Sequence, residues 1–216
     1  MTEPAGKPVE TVDLDLLDRA TVRKRARNVV IAGLIVAAAF GGIVGLVAGP
    51  LGFAVGSAAV GVPLLLLAYG ESRKTTWLTG SEVSVRALGT RMVDLRTADR
   101  LDVVITDVRG MRTVGLLVAG PPKGKAVTVS LAMYAGTGGR ELGVLALRRI
   151  ADSLASVGST HALVLSELVV AQLRAEARGD GAAARPLYRL ASAAPQGRMA
   201  QKLHPQAVAG FVTTLE

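Results

Sequence analysis

The sequence has no cysteine, and only one tryptophan, three tyrosines and three phenylalanines among its 216 residues. Without cysteine there is no disulfide framework, no thiolate metal site and no cysteine nucleophile; that absence fits a reducing cytosol. The two histidines, His161 and His204, stand far apart, and neither has a second ligand at metal spacing. Each reads as a surface or capping residue. Carboxylates for acid–base work must meet in a cleft, whereas Asp99, Asp102 and Asp107 fall on expected strands and read as facing solvent. No nucleophile elbow and no Ser–Lys constellation stands out. These gaps point to a non-enzymatic protein without a cofactor.

The stretch Gly120-Pro121-Pro122-Lys123-Gly124-Lys125-Ala126 invites comparison with a phosphate-cradling loop. Its glycine spacing is one residue short, Ala126 stands where a hydroxyl should hold Mg²⁺, and a strand pattern follows in place of a helix N-terminus. It reads as a hairpin tip.

A further absence organises the chain. Residues 29–70 contain no Asp, Glu, Lys, Arg or His, and they account for much of the mean hydropathy of +0.41. The run is about twice the ~20 residues that cross a hydrocarbon core of ~30 Å. Gly49-Pro50 lies near its middle, and proline both disfavours helix in the preceding residue and suits the first turn of a new one. The pattern predicts spans over 29–49 and 53–69 joined by a turn at residues 49–52, with Pro63 kinking the second. A cleaved signal peptide fits less well, because the small residues Val47-Ala48-Gly49 lead into Pro50 and a second apolar run. A soluble buried hairpin would need two helices apolar all round.

Basic flanks set the expected orientation. Arg19, Arg23, Lys24, Arg25 and Arg27 precede the first span, Arg73 and Lys74 follow the second, and the connecting turn is uncharged. The positive-inside rule then places both termini in the cytoplasm of a multi-pass inner-membrane protein. The same seven side chains are candidates for anionic headgroups, although fixing topology would alone explain them. Gly41, Gly45 and Gly49 recur every fourth residue, and Gly52 and Gly56 repeat the spacing. Such faces let helices approach closely in lipid, either between protomers or within the hairpin. Ser57 and Tyr69 are the polar side chains of the spans, which leaves no ion ladder or proton relay.

Of the net charge of +8, residues 1–28 supply +1 and residues 71–216 supply +7. A basic body is attracted to anionic lipid; nucleic acid is disfavoured as a partner, because the charges are scattered and few aromatics lie between them. Residues 1–18 read as disordered, with an amphipathic helix able to begin over 13–20.

Beyond residue 70 the period changes. Alternation predicts strands over 83–87, 91–95, 102–108, 113–118 and 126–131. A helix follows from about Arg140, with Val144, Leu147, Ile150, Ala151 and Leu154 as its apolar stripe. Residues 158–216 form a second region of helices over 161–177, 182–193 and 205–215; Leu163, Leu165, Leu168, Val169 and Leu173 are the apolar positions of the first. That region could bind a partner or pack on the domain.

An apolar pair of spans leading through Thr76-Trp77-Leu78-Thr79 into short strands and a closing helix resembles the bacterial pleckstrin-homology-like (bPH) domain membrane proteins of actinobacterial type. The resemblance covers about residues 75–156 and rests on element order. It implies an α+β membrane protein: a transmembrane hairpin, a small antiparallel PH-like domain over 71–157, a closing helix and a helical tail. Tyr69 and Trp77 stand where they could anchor at the membrane interface, and Trp77 reads equally as a core residue of the β domain. It carries over no binding residues. The expected role is an anchored interaction or scaffold module whose partners are membrane lipids, further copies of the chain or another membrane protein. An anionic-lipid-responsive sensor, or an accessory subunit of a transporter or cell-envelope complex, are the alternatives.

Overall fold

The structure, a computed structural model, describes residues 10–87, 89–121, 125–195 and 199–215, leaving aside the side chains of Arg19, Arg25, Glu71 and Lys125. It is an α+β protein whose residues group into two compact units.

One unit is dominated by a long apolar helix, α1 (Arg19–Ser72). Its backbone leaves helical geometry at Gly49, with φ 68° and ψ −161°. Glycine enters this left-handed region without a Cβ penalty, and Pro50, which has no N–H to satisfy, opens the following turn. The break is tighter than the expected 49–52 turn. Helix also extends past the apolar run on both sides, so Arg19, Arg23, Lys24, Arg25 and Arg27 lie on α1 itself, while Arg73 and Lys74 follow its last turn. Pro63 does not interrupt the helical dihedrals.

The two stretches of α1 on either side of Gly49 touch along their length. A Cβ built on Gly33 would lie 3.4 Å from Leu64 Cβ, one on Gly61 would lie 3.1 Å from Ala37 Cβ, and one on Gly41 would lie 1.9 Å from Ser57 Oγ. The outward residues stay uncovered: Leu46 is 90% exposed and Val47 91%.

The other unit is built on two antiparallel sheets. β1 (Thr11–Asp13), β2 (Thr75–Thr79), β3 (Glu82–Arg86) and β4 (Thr90–Asp94) lie in that order in the first. The second comprises β5 (Arg100–Val108), β6 (Met111–Gly120), β7 (Lys125–Ala135), β8 (Gly138–Glu141) and β9 (Gln201–Lys202), ordered β8-β7-β6-β5-β9. β4 packs on β6 and β7. Alternation drives the burial: Leu101, Val103 and Ile105 point inward from β5. In β7 the phase flips, with Val127, Val129 and Leu131 buried and then Ala132 and Tyr134. The cause is a bulge: the register with β6 shifts between Val114 and Gly115, whose partners are Ala132 and Ser130.

Four helices complete this unit: α2 (Val144–Ala155), α3 (Thr160–Ala177), α4 (Pro186–Ala193) and α5 (Pro205–Thr213). α3 packs against α2, α4 and α5. Residues 158–216, expected as a separate helical region, share one buried cluster with the sheets through Leu165, Leu168, Leu187, Leu190 and Val208.

Several expectations change. Residues 1–9 and Leu88 lie outside the described residues, but residues 10–18 are not a disordered segment. β1 pairs with β2, Thr11 opposite Thr79 and Asp13 opposite Trp77, so no amphipathic helix begins at Asp13. The residues that give that segment its hold are apolar: Val12 and Leu14 are buried with Leu78. Trp77 is only half-buried, since Thr76 and Leu78 take the inward face of β2. Val144 is 53% exposed and Leu163 43%, while Ala146 and Ala162 take the buried positions beside them.

Candidate functional site

Two groups of residues invite a functional reading, one in each unit. The first is the basic set at the ends of α1. Arg23, Lys24 and Arg27 are exposed on its first turns, and Arg73 and Lys74 are exposed just after its last. Arg19 and Arg25 belong to the same opening turns. The Arg73 guanidinium lies over the Tyr69 ring, 4.6 Å from its centroid, a cation–π contact that fixes its direction. Between the two ends runs an open groove of about 580 Å³ with Arg27, Val30, Val62 and Tyr69 on its wall. The chain thus brings residues near 27 and 70 together.

The glycine set lies within the same unit. A Cβ on Gly45 would approach Phe53 Cβ at 3.0 Å, and one on Gly56 would meet Val44 Cβ at 3.1 Å and Gly41 Cα at 3.3 Å. On Gly52 it would meet Ala48 Cβ at 2.6 Å, whereas Gly49 faces open space and serves the backbone. Four of the five glycines are therefore occupied by contacts inside the chain. Ser57 Oγ is buried against Gly41 and has no hydrogen-bond partner among the described residues.

The second group was not anticipated. Tyr134 Oη on β7 donates to Glu141 Oε1 on β8 at 2.6 Å, and Arg185 Nη1 donates to the other oxygen, Oε2. Arg185 Nε donates to the Asp180 carbonyl at 2.9 Å. Burial first, and then the hydrogen bond and negative charge of Glu141, push the Tyr134 phenol far above its ordinary value. The hydrogen bond to Glu141 raises the Arg185 guanidinium further, so Arg185 stays protonated. Tyr134 also meets Tyr188 edge-to-face, with ring centroids 5.1 Å apart.

Beside it, the fully buried Gln172 of α3 accepts from the Leu187 N–H at 3.0 Å. It caps the start of α4, where Arg185 in the N-cap position provides no side-chain cap of its own. Arg112 Nη1 donates to the Ala191 carbonyl at 2.8 Å near the other end of α4. These contacts hold α4 on the sheet. Glu141 and Arg185 are 44 positions apart, and no local spacing announces the pair.

The remaining candidates resolve individually. His161 Nε2 donates to the Leu101 carbonyl at 2.6 Å, tying α3 to β5. His204 takes the N-cap position of α5 without a side-chain bond. Asp102 and Asp107 do not face solvent freely: Asp102 lies 3.5 Å from Lys202 Nζ, and Asp107 lies 3.5 Å from Arg112 Nε. Basic residues on neighbouring strands draw them in. Asp99 is exposed as expected. Residues 122–124 of the glycine–proline stretch lie outside the described residues, but Gly120 pairs with Lys125 across the β6–β7 hairpin.

No protein-family model, no curated protein and no solved structure matches the chain.

Proposed function

We propose that α1 is a transmembrane helical hairpin and that the chain acts as a membrane-anchored, non-catalytic interaction module, carrying a PH-like body on the cytoplasmic face of the cell membrane. The uncovered apolar surface of α1 carries this reading. Only 17% of its most apolar stretch is buried within the protein, whereas a core helix of a soluble protein would be covered along most of its length. Each large apolar side chain left in water forgoes about 1.5–3 kcal/mol, so hydrocarbon is the environment this helix favours.

The pairing of β1 with β2 supports the topology. These strands bracket α1 in sequence, so the chain must leave and return on one side, which demands an even number of crossings. The exposed basic residues at both ends of α1 favour the cytoplasmic side. The antiparallel strands between residues 75 and 141, followed by α2, support a PH-like arrangement of residues 75–156. The basic ends also favour a second reading, a module that responds to anionic lipid.

Alkaline carbonate washing of membranes, followed by cross-linking of the full-length chain, tests the proposal. The chain should stay in the membrane pellet and give a discrete cross-linked species, either with itself or with one membrane protein. Release into the wash, or a monomer at every cross-linker concentration, would overturn it.

A further inference from the structure

We infer that the groove between the two ends of α1 holds an acyl chain of an anionic phospholipid, with Arg27 engaging the headgroup phosphate. The inference deepens the membrane reading and rests on it. The groove wall is almost wholly apolar, with Val30, Val62 and Leu66 on it, and Arg27, Tyr69 and Ser72 are among the residues that line it. Ser72 Oγ already donates to the Tyr69 carbonyl at 2.8 Å, so it solicits no ligand. Arg27 is exposed, and no ion pair engages it among the described residues.

Charge and shape together select the occupant. At about 580 Å³ the groove falls within the range of roughly 300–1,000 Å³ typical of small-molecule sites. A neutral apolar ligand would leave the guanidinium without a counter-ion. A water-soluble anion would leave the apolar wall uncovered. A diacyl lipid with a net negative headgroup satisfies both, and it is already present beside the wall if α1 spans the bilayer. Arginine suits a phosphodiester, because its planar fork donates two parallel hydrogen bonds. Arg73, held over Tyr69 at 4.6 Å, adds a second positive charge at the end of the same helix, and no carboxylate lies among the described residues of the wall.

The test uses full-length protein in detergent, native mass spectrometry, and phosphatidylglycerol or phosphatidylcholine with identical acyl chains. Wild type should retain phosphatidylglycerol in preference to phosphatidylcholine. Arg27→Gln should weaken that retention about fivefold, the worth of one well-placed basic side chain at a lipid surface. Val62→Trp fills the groove from a position 52% exposed, so it should reduce retention without disturbing the fold. Arg148→Gln, exposed on α2 and outside the basic set of α1, should change it less than twofold. Equal retention of both lipids by wild type, an undiminished Arg27→Gln variant, or an Arg148→Gln loss as large as that of Arg27→Gln would each overturn the assignment. A chain recovered from water without detergent would instead remove the membrane reading beneath it.

Discussion

The Asp15 carboxylate accepts a hydrogen bond from the Thr76 backbone N–H at 2.8 Å, across 61 positions of sequence. The Leu14 N–H donates to the Thr76 carbonyl at 2.9 Å, so the segment before α1 engages both main-chain groups of Thr76. The loop closed by this clasp is the whole of α1. Asp15→Ala should lower stability by about 1.5–3 kcal/mol, the range for a hydrogen bond to a charged acceptor. Leu14→Ala, which empties a buried site, should lose about 3 kcal/mol. Trp77 lies opposite Asp13 in the register and is the sole tryptophan, so its fluorescence during urea unfolding reports both changes. Unchanged midpoints would mean that β1 is not held.

The absence of cysteine makes the contact between the two stretches of α1 directly measurable. A Cβ placed on Gly33 would lie 3.4 Å from Leu64 Cβ, close to the roughly 3.5–4.5 Å of disulfides. A Gly33→Cys/Leu64→Cys double variant should oxidise to an intramolecular cross-link, seen as a mobility shift that reductant reverses.

Glycine substitutions should separate by position along that contact. Gly41→Val must displace Ser57 Oγ and the Phe53 carbonyl, which a Cβ there would meet at 1.9 and 2.8 Å, whereas Gly42 faces open space. Gly41→Val should therefore lower the thermal unfolding midpoint in detergent by several degrees, and Gly42→Val should leave it nearly unchanged.

Arg185 and Glu141 form an ion pair whose side chains are 25% and 9% exposed. Arg185→Met strands a buried carboxylate and should cost about 3 kcal/mol, the low end for breaking such a pair because the arginine keeps some solvent contact. Adding Glu141→Gln should recover much of that loss. Urea denaturation of the three variants checks the order; a double variant weaker than Arg185→Met contradicts it.

Tyr134 predicts alkaline sensitivity. Its folded-state pKa is raised above the ordinary 10.0, so the folded chain holds the phenol proton more tightly than the unfolded chain does. Stability is therefore intact below pH 10.0 and falls as pH rises past it, where only the unfolded chain releases that proton. Phenolate absorbance from Tyr134, obtained by subtracting the titration of Tyr134→Phe, should appear together with unfolding. A phenolate signal at its ordinary pH in folded protein would contradict the burial and the Glu141 contact.

What could be read from the sequence follows from the range over which each feature is encoded. The apolar run of α1, its break at a glycine before a proline, and the alternation in β3, β5 and β6 are local, and they emerge close to their expected positions. β1 and β9 have three and two residues, too few to carry a period, and their pairing depends on distant partners. β7 extends beyond its expected end at 131 because the bulge near Ala132 inverts the alternation that identified it. Trp77, expected in the core of the β domain, is only half-buried, because the strand period gives the inward face to Thr76 and Leu78. The basic residues of the candidate site were visible as a cluster, but the groove joining Arg27 to Tyr69 needs the chain to turn at Gly49. The Tyr134–Glu141–Arg185 cluster left no trace in sequence, since its ion pair spans a sheet edge and a helix start.

Thiol accessibility in oriented membrane vesicles tests the central claim most directly. Single cysteines would replace Thr11, Leu51 and Thr213, each exposed in this cysteine-free chain, and be probed with a membrane-impermeant maleimide from each side in turn. The account predicts that Thr11→Cys and Thr213→Cys label together from the cytoplasmic side, and that Leu51→Cys, beside the Gly49 break, labels only from the opposite side. Labelling of Thr11→Cys and Thr213→Cys from opposite sides, or of all three from one side, would contradict two crossings of the membrane.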